Sequence, residues 1–236
     1  MSASMGVGAN YLELTGGSAG AAGTSGFTIA TLVSPGAGNN NAGLATLLNT
    51  GTRQRTAFWD SKKVFTEGDF GGFDGGLTIT FGQYYVTVVS KAAGAGQPVR
   101  FEVWPYASDG SGTMATGTDG TNIGDGLTVN QIRFGQAINN ANGLYSVLGI
   151  WTRQITPSEA QTLKTNLLTA WAALSPAELI HTQGWNGTTG ITIVGASTFV
   201  GVTGTVGVGA DPSDFDFSLG PGGFDPKRAS AFTQFF

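Results

Sequence analysis

The sequence predicts an all-β fold, a sandwich in which each sheet keeps one face dry. Three observations carry that expectation. Apolar and polar side chains alternate through most of the chain, the alternating runs are short and end in Gly, Asn, Pro or Asp, and 39 of the 236 residues are glycine. Alternation with period two sends one face of a strand to a core and the other to water, and the turn residues mark where strands reverse.

In chain order, Phe27, Ile29 and Val33 share one face of a first clear strand, and Leu77, Ile79 and Phe81 alternate with outward Thr78 and Thr80. Tyr84–Ser90 and Leu144–Trp151 are apolar on both faces, which predicts central strands. Val99, Phe101 and Val103 point one way, while Arg100, Glu102 and Trp104 point the other. Gln131–Phe134 repeats the pattern.

One segment departs from it. Thr156 is placed to cap a helix, Pro157 sits where its missing N–H costs nothing, and Glu159 can close a capping box. Ala160, Leu163, Leu167, Ala170, Trp171 and Leu174 then recur at three- and four-residue steps, predicting one amphipathic helix over 156–174 that lies on the sandwich as a lid. Beyond it, Val200, Val202, Val206 and Val208 share a parity about Gly204, which reads as a long strand or a hairpin bent there. The end of the chain carries Phe215, Phe217, Phe224, Phe232, Phe235 and Phe236, which must be buried on the chain's own sandwich or on another subunit.

Composition narrows function. Only 11% of residues are charged, against about 25% in an average soluble domain, and the formal charge is −4, leaving no basic stripe for nucleic acid. The absence of cysteine excludes disulfides, thiolate zinc sites and cysteine nucleophiles. Met1–Asn10 has neither a basic residue nor an apolar run, so no signal peptide is read there. Leu179–Ala210 lacks Asp, Glu, Lys and Arg, but its apolar residues alternate, so membrane insertion is not expected.

The order of segments resembles concanavalin A-like, laminin G-like domains over about residues 5–174. Tyr11–Leu14 and Phe27–Pro35 resemble the opening strands, Tyr84–Lys91 and Val99–Trp104 the paired middle strands, and Ile132–Gly135, Gly143–Ile155 and Thr156–Leu163 the closing strands and terminal helix. The resemblance implies an antiparallel two-sheet jelly roll over 1–175, with 176–236 as a Gly/Phe-rich extension that has no counterpart in the module. Such folds serve lectins, adhesion domains and some glycanases, so the fold alone leaves function open. The cysteine-free, Gly/Ala/Thr-heavy composition is similar to tailed-phage minor tail and capsid decoration proteins. That likeness implies a virion component made in the host cytoplasm, partnered by other virion proteins or by itself, with the six C-terminal phenylalanines as the docking arm.

No catalytic constellation emerges. Glycanases of this fold carry Glu-x-Asp-x-x-Glu, and the nearest approach, Glu67-Gly-Asp69-Phe-Gly-Gly72, has glycine as its third member. The single histidine, His181, has no Gly-x-Ser-x-Gly elbow to serve and cannot build a zinc site without cysteine unless carboxylates dominate it, so the chain is read as non-enzymatic. Asp119, Asn122 and Asp125 put hard oxygens in a glycine-rich loop and form a weak calcium candidate; no other cofactor is expected. For a sugar ligand on the host surface, the candidate stacking platforms are Trp104, Tyr106 and Trp59. The readings are thus an assembling surface protein, a free carbohydrate-binding module and, last, a glycoside hydrolase.

Overall fold

The computed structural model describes residues 1–6, 10–16, 26–37, 42–49, 51–60, 63–67, 71–73, 80–93, 97, 99–106, 115–119, 129–135 and 142–219. All strand pairs are antiparallel, and the strands, numbered along the chain, form two sheets. The larger runs β10 (Ala115–Asp119), β9 (Val99–Pro105), β8 (Tyr85–Ala92), β3 (Gly26–Pro35), β12 (Gly143–Trp151), β1 (Ser2–Met5), β16 (Val206–Gly209). On it, β13 (Glu178–His181) also pairs with β12, and β14 (Thr192–Gly195) pairs with β13. The smaller sheet runs β15 (Ser197–Thr203), β2 (Tyr11–Gly16), β11 (Gln131–Phe134), β4 (Ala42–Asn49), β5 (Thr52–Asp60), β6 (Lys63–Glu67), β7 (Gly71–Phe73). The all-β sandwich is as the alternation predicts, and the two strands read as apolar on both faces, β8 and β12, are interior strands of the large sheet.

Between the sheets lies the first core. Phe27, Ile29 and Val33 of β3 and Val99, Phe101 and Val103 of β9 meet Leu12, Leu14, Leu44, Leu47, Ile132 and Phe134 from the small sheet. Each such fully buried side chain contributes about 1.5–3 kcal/mol relative to exposure.

A second core covers the opposite face of the large sheet, which makes three layers. Ala30, Leu32, Val86, Val88, Trp104, Val147 and Trp151 point away from the small sheet and meet Ala160, Leu163, Leu168, Trp171, Phe215 and Phe217. The expected lid is therefore present, but as two helices, α1 (Pro157–Thr162) and α2 (Leu168–Ala173). The capping box of Thr156 and Glu159 forms as the sequence predicts, and Arg153 grips Glu159 through two bonds of 2.8 Å. The helix stops because Thr162 and Thr165 turn their hydroxyls back onto the carbonyls of Glu159 and Thr162. Leu167 is extended, and the chain near Asp216 takes over the backbone bonds: Leu168 N–H donates to Asp216 O at 2.8 Å, and Asp216 N–H to Asn166 O at 2.6 Å.

Two tryptophans clamp this cap onto β12. Trp151 Nε1 donates to Leu174 O at 2.9 Å and Trp171 Nε1 to Leu163 O at 3.2 Å. Their rings fit because residue 149 is glycine: a Cβ there would lie 2.5 Å from Trp151 Cη2 and 3.4 Å from Trp171 Cε3.

The boundary expected at residue 175 falls inside the sandwich. β13 and β16 extend the large sheet and β15 extends the small one, so residues beyond 175 lie against β12, β1 and β2. The bend at Gly204 is present, with φ 71°, but β15 and β16 do not pair as a hairpin; the chain crosses there from one sheet to the other. Phe81, expected on an inward strand face, instead occupies a turn, and Leu77 and Ile79 lie outside the described residues.

Two outcomes test this architecture. Gly149→Ala is expected to lower stability by about 1–3 kcal/mol through overpacking against Trp151, read as a reduced urea midpoint at unchanged slope. A chain ending at Ser175 is expected to lose its cooperative unfolding transition by circular dichroism; retention of that transition would show that residues 1–175 suffice for the fold.

Candidate assembly surface

The aromatic residues singled out for sugar stacking are core residues. Trp104 is 1% exposed, because the large sheet's outer face, on which it stands with Arg100 and Glu102, carries the helical layer instead of facing water. Tyr106 is also buried; its ring meets Phe215 edge-on at 5.8 Å and its hydroxyl donates to Ser213 O at 3.3 Å. Burial pushes its phenol up to about 12. Trp104 and Tyr106 both belong to the second core, not to the outward surface where the sequence put a glycan platform. Trp59 lies on β5, opposite Ala42 and Val64 in the ladders, with only its backbone described.

The docking-arm assignment changes in the same way for two of its six residues. Phe215 and Phe217 pack against each other at 4.7 Å inside the second core, and Phe217 also meets the His181 ring at 5.8 Å. Phe224, Phe232, Phe235 and Phe236 lie outside the described residues. Of the calcium candidate, Asp119 ends β10 opposite Val99, while Asn122 and Asp125 lie outside the described residues. Glu67 ends β6 opposite Thr56, and Asp69 lies outside them.

Charged groups inside the protein are tied to structural partners. Arg100 Nε lies 3.0 Å from Glu102 Oε1 and its guanidinium also donates to Ile155 O. Burial raises the Glu102 carboxyl while Arg100 opposes that rise. Glu178, fully buried on β13, accepts from Ser197 N–H at 3.2 Å and so pins the corner between β14 and β15. Gly195 at that corner has φ 147°, and a Cβ there would lie 2.1 Å from the Glu178 carboxylate.

His181 is 3% exposed on β13, and its Nδ1 finds no hydrogen-bond partner among the described residues. Burial first, then the positive Met1 amino group, push its pKa down to about 4, so the ring is neutral at pH 7. The nearby Ser2 and Ser146 hydroxyls bond to each other at 2.6 Å, and Ser2 also meets Tyr84 and Asp211. This is a hydroxyl network that fastens β1 to the segment after β16.

Among the described residues, the C-terminal flank exposes apolar side chains. Val194 of β14, Val200 and Val202 of β15 and Val208 of β16 are 40–60% exposed, on strands that stand at sheet edges. The flank is tied to the sandwich: Asn10 accepts from Thr205 N–H at 2.7 Å beside the Gly204 bend, and Trp185 donates to Gly207 O at 2.7 Å while meeting Phe199 edge-on at 6.2 Å. Sequence reasoning named Val200, Val202 and Val208 for their parity with Val206, which is buried, but not Val194, and missed the exposed ones as surface, because strand alternation does not tell an edge strand from a central one.

A second exposed feature is Phe81, 44% exposed. Its turn is fixed by Gly82 N–H donating to Pro35 O at 2.9 Å and by the Tyr85 hydroxyl, which accepts from Thr80 N–H at 2.8 Å and donates to Gln83 Oε1 at 3.2 Å. An aromatic ring is thereby displayed on a preorganised turn.

No family model matches the chain, and no curated protein matches it. Among solved structures it is similar in part to Trypanosoma rangeli sialidase, at 14% identity and a TM-score of 0.42 over 61% of this chain and 23% of that one. It is similar also to the tailspike protein 2 enzymatically active domain of bacteriophage CBA120, at 13% identity and a TM-score of 0.39 over 61% of this chain and 24% of that one. A botulinum neurotoxin type C structure matches at 9% identity and a TM-score of 0.33 over 70% of this chain and 38% of that one. The chain thus spans about a quarter of the length of the sialidase and tailspike chains.

The buried imidazole gives this surface's supporting strand a pH signature. An unfolded histidine takes up its proton near pH 6.5, whereas folded His181 does so only at about 4. Its contribution is therefore complete above pH 6.5 and declines as pH falls towards 4. Urea titrations across that window should show a steeper loss of stability in the wild type than in His181→Gln; parallel pH curves would contradict a buried neutral ring.

Proposed function

We propose that this protein is a non-enzymatic structural module that assembles through its C-terminal segment into a larger particle, a phage virion in which it serves as a minor tail or decoration protein. The observation that carries the reading is the flank built by β14, β15 and β16, where valines stand exposed on edge strands in a stretch, 179–210, that has no charged side chain. A monomer usually protects its edges with Lys, Pro or inward-pointing charge. An uncharged flank with valines exposed on edge strands fits a surface covered by a neighbour.

The non-enzymatic part of the reading is supported by how the interior polar groups are used. Arg100, Glu102, Glu178 and the Ser2–Ser146 pair hold strands and corners together, and His181 is walled in by Phe217. The virion setting is supported by the resemblance of the sequence to tailed-phage modules. Phe215 and Phe217 belong to the core, so the docking surface proposed is the valine flank together with Phe224, Phe232, Phe235 and Phe236.

The alternative is a carbohydrate-binding module, and the exposed ring of Phe81 is the observation that favours it. Aromatic faces stack on the C–H faces of sugars, and Gln83 offers a polar group on the same turn.

Sedimentation of the native source material separates the two. The first reading expects the chain to travel with a particle far heavier than its own 24.1 kDa; recovery only as free chain overturns it. The second expects glycan-array binding that Phe81→Ala reduces about tenfold or more, and a blank array removes it.

A further inference from the structure

The two Asn-Gly steps of this chain, Asn142-Gly143 and Asn186-Gly187, are alike in chemistry and opposite in setting. In such a step the glycine nitrogen attacks the asparagine side-chain carbon, because glycine has no Cβ to crowd the approach. The reaction needs a nitrogen without a hydrogen-bond partner and a backbone with room to turn. It is helped by donors at the oxygen where negative charge builds.

Asn142-Gly143 is denied these conditions. Gly143 opens β12 and is paired on both sides, opposite Met5 of β1 and Pro35 of β3. A Cβ on Gly143 would lie 2.2 Å from Ser34 O, so the backbone is closely walled. The Asn142 carbonyl accepts from Gly36 N–H at 3.1 Å, and its side chain donates to Ala37 O.

Asn186-Gly187 meets them. It stands in the turn between β13 and β14, where Asn186, Thr188 and Thr189 are exposed. Gly187 N–H meets no acceptor among the described residues. A Cβ on Gly187 would find only Val208 Cγ2, at 3.9 Å, so the space around it is open. The side chain of Asn186 is already oriented. Its Oδ1 accepts from Thr188 N–H at 3.1 Å, Thr189 N–H at 2.8 Å and the Thr188 hydroxyl at 3.2 Å. Its Nδ2 donates to Thr189 Oγ1 at 2.9 Å. Three donors thus converge on the oxygen that becomes an oxyanion when Cγ is attacked.

We propose that Asn186 is a site of spontaneous deamidation in the folded protein and that Asn142 is protected. Hydroxide takes the proton from Gly187 N, which bonds to Asn186 Cγ. The Cγ–Nδ2 bond then breaks, and the nitrogen leaves as ammonia with a proton from water. Water opens the resulting succinimide at either carbonyl, giving aspartate or isoaspartate. The product carries the first negative charge in 179–210, beside the exposed Val208. The chemistry is independent of whether the flank assembles.

The purified full-length chain is incubated at mildly alkaline pH, folded in one arm and unfolded in guanidinium chloride in the other. Peptide mass mapping with isoaspartate detection follows both sites. Unfolding removes the difference in setting, and incubation runs until both asparagines have converted in that arm. In the folded arm Asn186 is expected to convert about tenfold or more faster than Asn142, and Gly187→Ala to slow it about tenfold at unchanged circular dichroism. An Asn186 amide that survives in the folded arm overturns the inference. So does equal conversion of the two sites there, or a Gly187→Ala chain that converts at the wild-type rate.

Discussion

The outer face of the large sheet has to be covered, and most of the molecule follows from that. β3, β8 and β12 carry apolar residues on both faces, so a two-layer sandwich would leave Leu32, Val86, Val88, Val147 and Trp151 in water. The third layer exists to remove them from it. Its pieces are small: two one-and-a-half-turn helices and the stretch around Phe215 and Phe217. Helices this short are not stable alone, and they persist because Trp151, Trp171 and the backbone of Asp216 bind them down.

That constraint also explains what could be read from residues alone. Period two along β3, β9 and β11 located the inner face without error, since a strand's geometry converts parity directly into side. Thr156, Pro157 and Glu159 announced a helix start because capping is local chemistry. The helix end was not legible: it depends on Asp216, fifty residues further on, supplying backbone bonds that the helix gives up. Trp104 was placed on the correct face and in the wrong environment, because parity says which side a residue takes but not whether another layer lies there.

Function was less legible for the same reason. Aromatic residues attract attention as ligand platforms, yet Trp104, Trp151, Trp171 and Trp185 are all core, as large rings are the cheapest way to fill the volume between three layers. Several of the apolar groups exposed among the described residues are valines, whose presence in a strand is unremarked until the topology reveals that the strand has a neighbour on one side only.

The first strand of the chain, β1, lies between β12 and β16. Both of its flanking ladders can close only once Val206–Gly209 has been made, about 200 residues of synthesis after β1 itself. Contacts of such long sequence separation make folding slow, and the nascent sandwich holds its edges open in the meantime, when chaperones or neighbouring copies on the same message can reach them.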